Sequence, residues 1–177
     1  FVDVATQSGI DFVHDNGAQG MRYLPETYGS GVAFIDADMD GSIDLYWVNG
    51  GRIPGLTDGP LVANAFYRNS GQGAFTEHSA EYGIDDTGYG MGALVGDFDA
   101  DGSPDLYVTN FGPNVLYRNA RNGTFVDVSE GVDDAGWGTS AAFADVDLDG
   151  DIDLFIGNYV FYPLGDGMVQ CWVGNSQ

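Results

Sequence analysis

The chain has 177 residues, enough for one ordinary domain, and its 44% hydrophobic, 14% aromatic content with 28 glycines is folded and turn-rich rather than disordered. Twenty-seven acidic residues against five basic ones, all Arg, leave a net charge of −22, which argues against nucleic acid or an anionic membrane as partner. One cysteine, Cys171, excludes an internal disulfide framework and reads as a small buried hydrophobe. No apolar run approaches the ~20 residues of a membrane span.

The chain opens at Phe1 without a Met or a signal-like apolar region, and so reads as mature or excised. In chain order the first strand-like segment is Phe1-Val-Asp-Val4. Tyr28-Gly29 then leads to Val32-Ala-Phe-Ile35, the acidic run Asp36-Ala-Asp-Met-Asp-Gly-Ser-Ile-Asp44, and Leu45-Tyr-Trp towards Asn49; Phe66-Tyr-Arg-Asn69 and Phe75-Thr-Glu-His78 follow. The series begins again with Tyr89-Gly90, Ala93-Leu-Val-Gly96, Asp97-Phe-Asp-Ala-Asp-Gly-Ser-Pro-Asp105 and Leu106-Tyr-Val towards Asn110. Leu116-Tyr-Arg-Asn119 and Phe125-Val-Asp-Val128 complete it. A third pass brings Trp137-Gly138, Ala141-Ala-Phe-Ala144, Asp145-Val-Asp-Leu-Asp-Gly-Asp-Ile-Asp153 and Leu154-Phe-Ile towards Asn158.

Each unit is thus four short segments rich in β-branched and aromatic residues, separated by Gly, Asn and Asp turns. No window holds apolar residues at helical spacing for three turns, so helix is at best minor. Four strands in about 50 residues is the arithmetic of a propeller blade, and the small residues of the first strand suit a crowded inner edge. The expectation is an all-β fold of three four-stranded antiparallel blades, in one repeat domain over 1–177. Residues 1–30 form a fourth-strand-type segment and a linker, and the blades occupy 31–79, 80–128 and 129–177, the last without its own fourth strand.

The acidic runs carry the chemistry. Twenty-three of the 27 acids are Asp, and 13 of those lie in the three runs. Two like charges 4 Å apart cost about 4 kcal/mol at an effective dielectric near 20; a divalent cation reverses the sign. The expected ligands are the side chains of Asp36, Asp97 and Asp145 at position 1, Asp38, Asp99 and Asp147 at position 3, and Asp40, Asp101 and Asp149 at position 5. Position 7 adds the carbonyls of Ser42, Ser103 and Asp151, and position 9 the side chains of Asp44, Asp105 and Asp153. The Gly at position 6 permits the sharp turn, as in an EF-hand loop. Hard oxygen donors without His or Cys favour calcium, about three ions in all, over zinc or copper, and magnesium is second choice. Helix-flanked loops of the dockerin kind are excluded by the strand Leu106-Tyr-Val-Thr and by Pro104 inside the second loop.

Taken together, Gly-x-Gly, Asp-x-Asp-x-Asp-Gly-x-x-Asp-Leu, Leu-Tyr-Arg-Asn and Phe-x-Asp-Val resemble the FG-GAP/VCBS repeats. The closest flavour is that of the cartilage-acidic-protein-like and UnbV-like secreted proteins. The resemblance implies propeller blades like those of integrin α heads, calcium in the hairpin loops, and an extracellular structural or adhesive role. Such propellers usually have about seven blades; three loops leave ring closure open.

Other residues carry less. His14 and His78 stand alone and read as packing or surface groups. Arg68 and Arg118 share a repeat position and are expected to pair with nearby Asp residues. Glu26 reads as a solvated loop acid, and Asn122-Gly-Thr124 is a glycosylation sequon at a turn tip. No nucleophile–base pair or phosphate loop appears, so no catalysis is expected. The alternative is a lectin-like or integrin-like module whose protein or glycan ligand sits on loops 50–65 or 159–170. Since Phe1-Val-Asp-Val4 matches the fourth strands and the third unit lacks one, residues 1–4 of one copy are expected to complete the third blade of the next, giving a ring or filament. The competing source of the missing parts is neighbouring blades of a longer chain.

Overall fold

Short β-branched and aromatic segments cut by Gly and Asn turns give three antiparallel sheets in the computed structural model, which describes residues 1–160. The first sheet has the order β1 (Val32–Ile35), β2 (Asp44–Trp47), β3 (Ala65–Asn69), β4 (Phe75–Glu77). The second repeats it with β5 (Gly90–Gly96), β6 (Asp105–Asn110), β7 (Val115–Asn119) and β8 (Phe125–Asp127). The third pairs β9 (Gly138–Ala144) with β10 (Asp153–Asn158). Register repeats as well: Leu45 lies opposite Tyr67 as Leu106 lies opposite Tyr117. Among the described residues, helix is limited to α1 (Ser79–Tyr82) and two 3-10 turns at Thr6–Ser8 and Leu24–Thr27. The remainder of the third expected blade, residues 161–177 with Cys171, lies outside the described residues.

The sheets stack through their first strands, with β1 against β5 and β5 against β9. Small residues make that approach possible. A Cβ added at Gly31 would sit 2.8 Å from the Cα of Gly92, and one at Gly96 would sit 2.5 Å from the Phe143 ring. Outside this seam the core is large and apolar. Ile35, Tyr46, Val48 and Phe66 of the first sheet join Leu106, Val108, Tyr117 and Phe125 of the second, with Ile84 from the connection between them. Each fully buried aliphatic side chain contributes about 1.5–3 kcal/mol.

A second cluster gathers the aromatic residues that precede each first strand. Tyr89 and Trp137 are buried in it with Ile53, Met91 and Phe111, and Tyr28 packs against them. The Trp137 ring lies 5.5 Å from Tyr28 and 5.0 Å from Phe111, both edge-on. Ile53 comes from the insertion between β2 and β3 and is fully buried, so that loop folds back into the core.

The N-terminal segment is seen here in a single chain, without a partner copy. Residues 1–4 belong to no strand, and Phe1, Val2 and Val4 are exposed. A lone strand needs a free edge, and the part of the third unit that repeat equivalence would assign to it falls outside the described residues. The following segment is a packed arm rather than a linker. Phe12 stacks on Trp47 at 5.3 Å, the Tyr67 hydroxyl donates to Asp11 Oδ1 at 2.6 Å, and the Asp15 carbonyl accepts from Gly50 and Gly51 N–H.

The Gly31–Gly92 contact is backbone against backbone, so Gly31→Ala should shift β1 away from β5 and destabilise the fold by about 1–3 kcal/mol. Gly29, with open space around its Cβ direction, is the matched control. Thermal melts should show a clear drop for Gly31→Ala and little change for Gly29→Ala.

Candidate metal centres

Each Asp run closes the hairpin between the first and second strands of its unit, and the three loops share one backbone form. The residue at position 4 is left-handed in all of them, with φ of 57° at Met39, 56° at Ala100 and 63° at Leu148. The glycine at position 6 follows with φ of 87°, 89° and 98° at Gly41, Gly102 and Gly150. The glycine was readable as a turn residue. Position 4 was not, because Met, Ala and Leu have no preference for that region and cost about 1 kcal/mol there.

The double reversal folds the carboxylates inwards. The N–H of Gly41, Gly102 and Gly150 donates to Asp36, Asp97 and Asp145 Oδ2 at 3.1, 2.9 and 3.1 Å. Positions 5 and 7 donate back to the acids two residues earlier, for example Ser42 N–H to Asp40 Oδ1 at 2.7 Å, which lowers the Asp40 pKa. As a result one carboxylate oxygen from each of Asp36, Asp38 and Asp40 lies within 4.8 Å of the others, and the same holds for Asp97, Asp99 and Asp101. In the third loop the trio is Asp145, Asp147 and Asp153. The side chain of Asp149 is not in that group, and those of Asp44 and Asp105 are not in theirs.

Position 9 makes contacts of its own in the first two loops. Asp44 Oδ2 accepts from Ala37 N–H at 3.1 Å and Oδ1 from Asn69 N–H at 2.7 Å. Asp105 repeats this with Phe98 at 3.0 Å and Asn119 at 2.8 Å. Each carboxylate therefore ties the loop to the third strand of its own sheet. Both are buried, and burial raises the pKa of Asp44 and pushes that of Asp105 up to about 6, against the pull of those N–H donors. Asp153 keeps only the first contact, from Val146 N–H at 3.1 Å, among the described residues.

The Asn of the Tyr-Arg-Asn segment belongs to the same device. Asn69 Nδ2 donates to the Ile43 carbonyl at 2.9 Å, and Asn119 Nδ2 donates to Pro104 at 3.2 Å and to Ala37, in the neighbouring loop, at 2.8 Å. Its recurrence beside Arg in two units was the available signal. Arg68 pairs with Asp38 and Asp40, as expected; Arg118 makes no ion pair among the described residues. His78 is bound to Glu81 and Thr76, a local surface contact. Glu26, on the 3-10 turn at Leu24–Thr27, differs from expectation: its Oε1 is buried without a hydrogen-bond partner.

Whether these loops suit a cation can be judged from atoms left over. Asp36 Oδ1 and Asp145 Oδ1 are buried and lack a hydrogen-bond partner. A buried carboxylate oxygen without a donor is costly, and both belong to the carboxylate trios. The donor set is entirely hard oxygen, which fits a calcium-sized divalent ion.

The sequence comparisons agree with the repeat. Residues 36–108 and 97–156 both match the FG-GAP-like repeat, and the two matches overlap across the middle Asp loop. No curated protein gives a significant match. Repeats of this kind build propeller-type domains that are commonly adhesive or ligand-binding, in keeping with the stacked antiparallel sheets. The chain belongs to the FG-GAP-like repeat family.

Proposed function

We propose that the chain is an extracellular structural or adhesive domain held in shape by calcium, with one ion in each Asp loop. The observation that carries this reading is the threefold recurrence of a carboxylate trio within 4.8 Å, two of the trios holding a buried oxygen with no donor. Positions 1, 3 and 5 supply the inner carboxylates of the first two loops, and positions 1, 3 and 9 those of the third. The position 7 carbonyls of Ser42, Ser103 and Asp151 complete the donor set. The ion supplies positive charge that the chain, with five Arg against 27 acids, does not have. Asp44 and Asp105 serve first as clasps, holding each loop on its sheet. Val32 and Phe34 of β1 are exposed at 44% and 68%, so the described residues leave that face open to a further sheet, from more repeats or from a second copy.

Two outcomes test the calcium reading. Sites of this kind have dissociation constants around 10⁻⁴–10⁻³ M, so about 10 mM calcium stabilises by about 1.5–3 kcal/mol per site. The melting temperature should rise by at least about 5 °C over that in excess chelator; coincident melting curves would refute it. The second outcome is the pH dependence. Asp105, near 6 against an ordinary 3.8, and Asp44, also raised, bind protons more readily folded than unfolded. Their contribution favours folding below about 4 and is lost as pH rises through about 6. In chelator, therefore, the melting temperature should fall between about pH 5 and pH 7, and calcium should flatten the slope. A metal-free chain that grows more stable over that interval would contradict the assignment.

A further inference from the structure

The three loops have matching acids but different neighbours. In each, the acids at positions 3 and 5 use Oδ1 to accept the backbone N–H two residues on. Their Oδ2 atoms remain for a cation. In the first loop both are already held: Arg68 Nε donates to Asp38 Oδ2 at 2.6 Å and Nη2 to Asp40 Oδ2 at 2.9 Å. In the second loop the nearest cation is Arg121, whose Nη1 stands 3.9 Å from Asp101 Oδ2, beyond hydrogen-bond length. No ion pair reaches Asp147 or Asp149 among the described residues.

The geometry points to Arg68 as a tethered cation that competes with calcium for the first loop, making that loop the last of the three to fill. The inference rests on the calcium reading above. A guanidinium stays charged at every accessible pH, and its planar fork spans two carboxylates at once. A divalent ion that takes Asp38 and Asp40 must either displace it or bind beside a like charge. For groups exposed to the degree of Arg68, that repulsion is screened by water and salt and corresponds to roughly tenfold in affinity. Displacement has room. An open groove of about 500 Å³, lined by Arg68, His78, Glu81, Tyr82 and Arg121, adjoins the pair. Without metal, the same fork keeps the first loop's acids together, a support that Arg118, at the equivalent position, does not give the second loop.

Each loop has its own reporter, because the amides of Gly41, Gly102 and Gly150 are hydrogen-bonded to the position 1 acid of their own loop. The full chain is titrated with calcium and these three glycine signals are followed by proton–nitrogen NMR. Gly41 should reach half-shift at about tenfold more calcium than Gly102 and Gly150. Arg68→Met should bring it into line with them, while Arg68→Lys, which keeps the charge without the fork, should retain most of the delay. The idea is overturned if Gly41 shifts with or before the other two in the unmodified chain, a result that needs no variant to fold. It is also overturned if Arg68→Met leaves the Gly41 midpoint unchanged. If none of the three signals moves up to about 10 mM calcium, the calcium reading itself fails and the competition falls with it.

Discussion

Two buried carboxylates, Asp44 and Asp105, each hold three pieces of chain together. Each stands where the second strand begins, accepts an N–H from the loop that precedes it, and accepts another from the third strand beside it. Breaking such a contact leaves a buried charge without its donors, which costs more than the contact itself contributes. The clasp therefore sets where the hairpin turns and where the third strand starts. Its cost is electrostatic. Burial works against the ionised form, and the acids at positions 3 and 5 add like charge to the same site. A fold built on this contact needs positive charge close by, from backbone dipoles, from a guanidinium, or from a bound ion.

The rest of the architecture follows from stacking such units. First strands rich in Gly and Ala let β1, β5 and β9 approach, while the larger side chains of the second and third strands fill the space between sheets. The aromatic residue ahead of each first strand closes one end, with Tyr28, Tyr89 and Trp137 gathered into a single cluster. Acidic loops lie at the opposite ends of those strands. Stability at one end rests on apolar burial, and at the other on how the carboxylates are neutralised.

Much of this was legible in the sequence, and the reasons are specific. Strand type, order and loop position follow from a repeat in which turn residues recur at fixed offsets, so that β1–β4 and β5–β8 superpose. The metal-type loops follow from the Asp spacing and the glycine at position 6. What escaped was set by contacts between distant residues. Asp44 and Asp105 read as ordinary ligands, and only the fold reveals Asn69 and Asn119 as their donors. Met39, Ala100 and Leu148 carry no mark of their left-handed backbone, which the loop imposes on whatever residue stands there. Residues 1–4 resemble a fourth strand in sequence, yet a strand exists only where an edge receives it. The packed arm around Phe12 escaped for the same reason: stacking on Trp47 is a contact over 35 positions that no local pattern announces.

We propose that the three acidic loops hold calcium and that the fold depends on it. The most direct measurement is a crystal structure grown in millimolar calcium, with anomalous difference density collected at a wavelength where calcium scatters. Peaks beside Asp36, Asp97 and Asp145, each ringed by carboxylate oxygens of its own loop, are the expected result. Ordered loops without such peaks, their acids turned out to solvent, would contradict it.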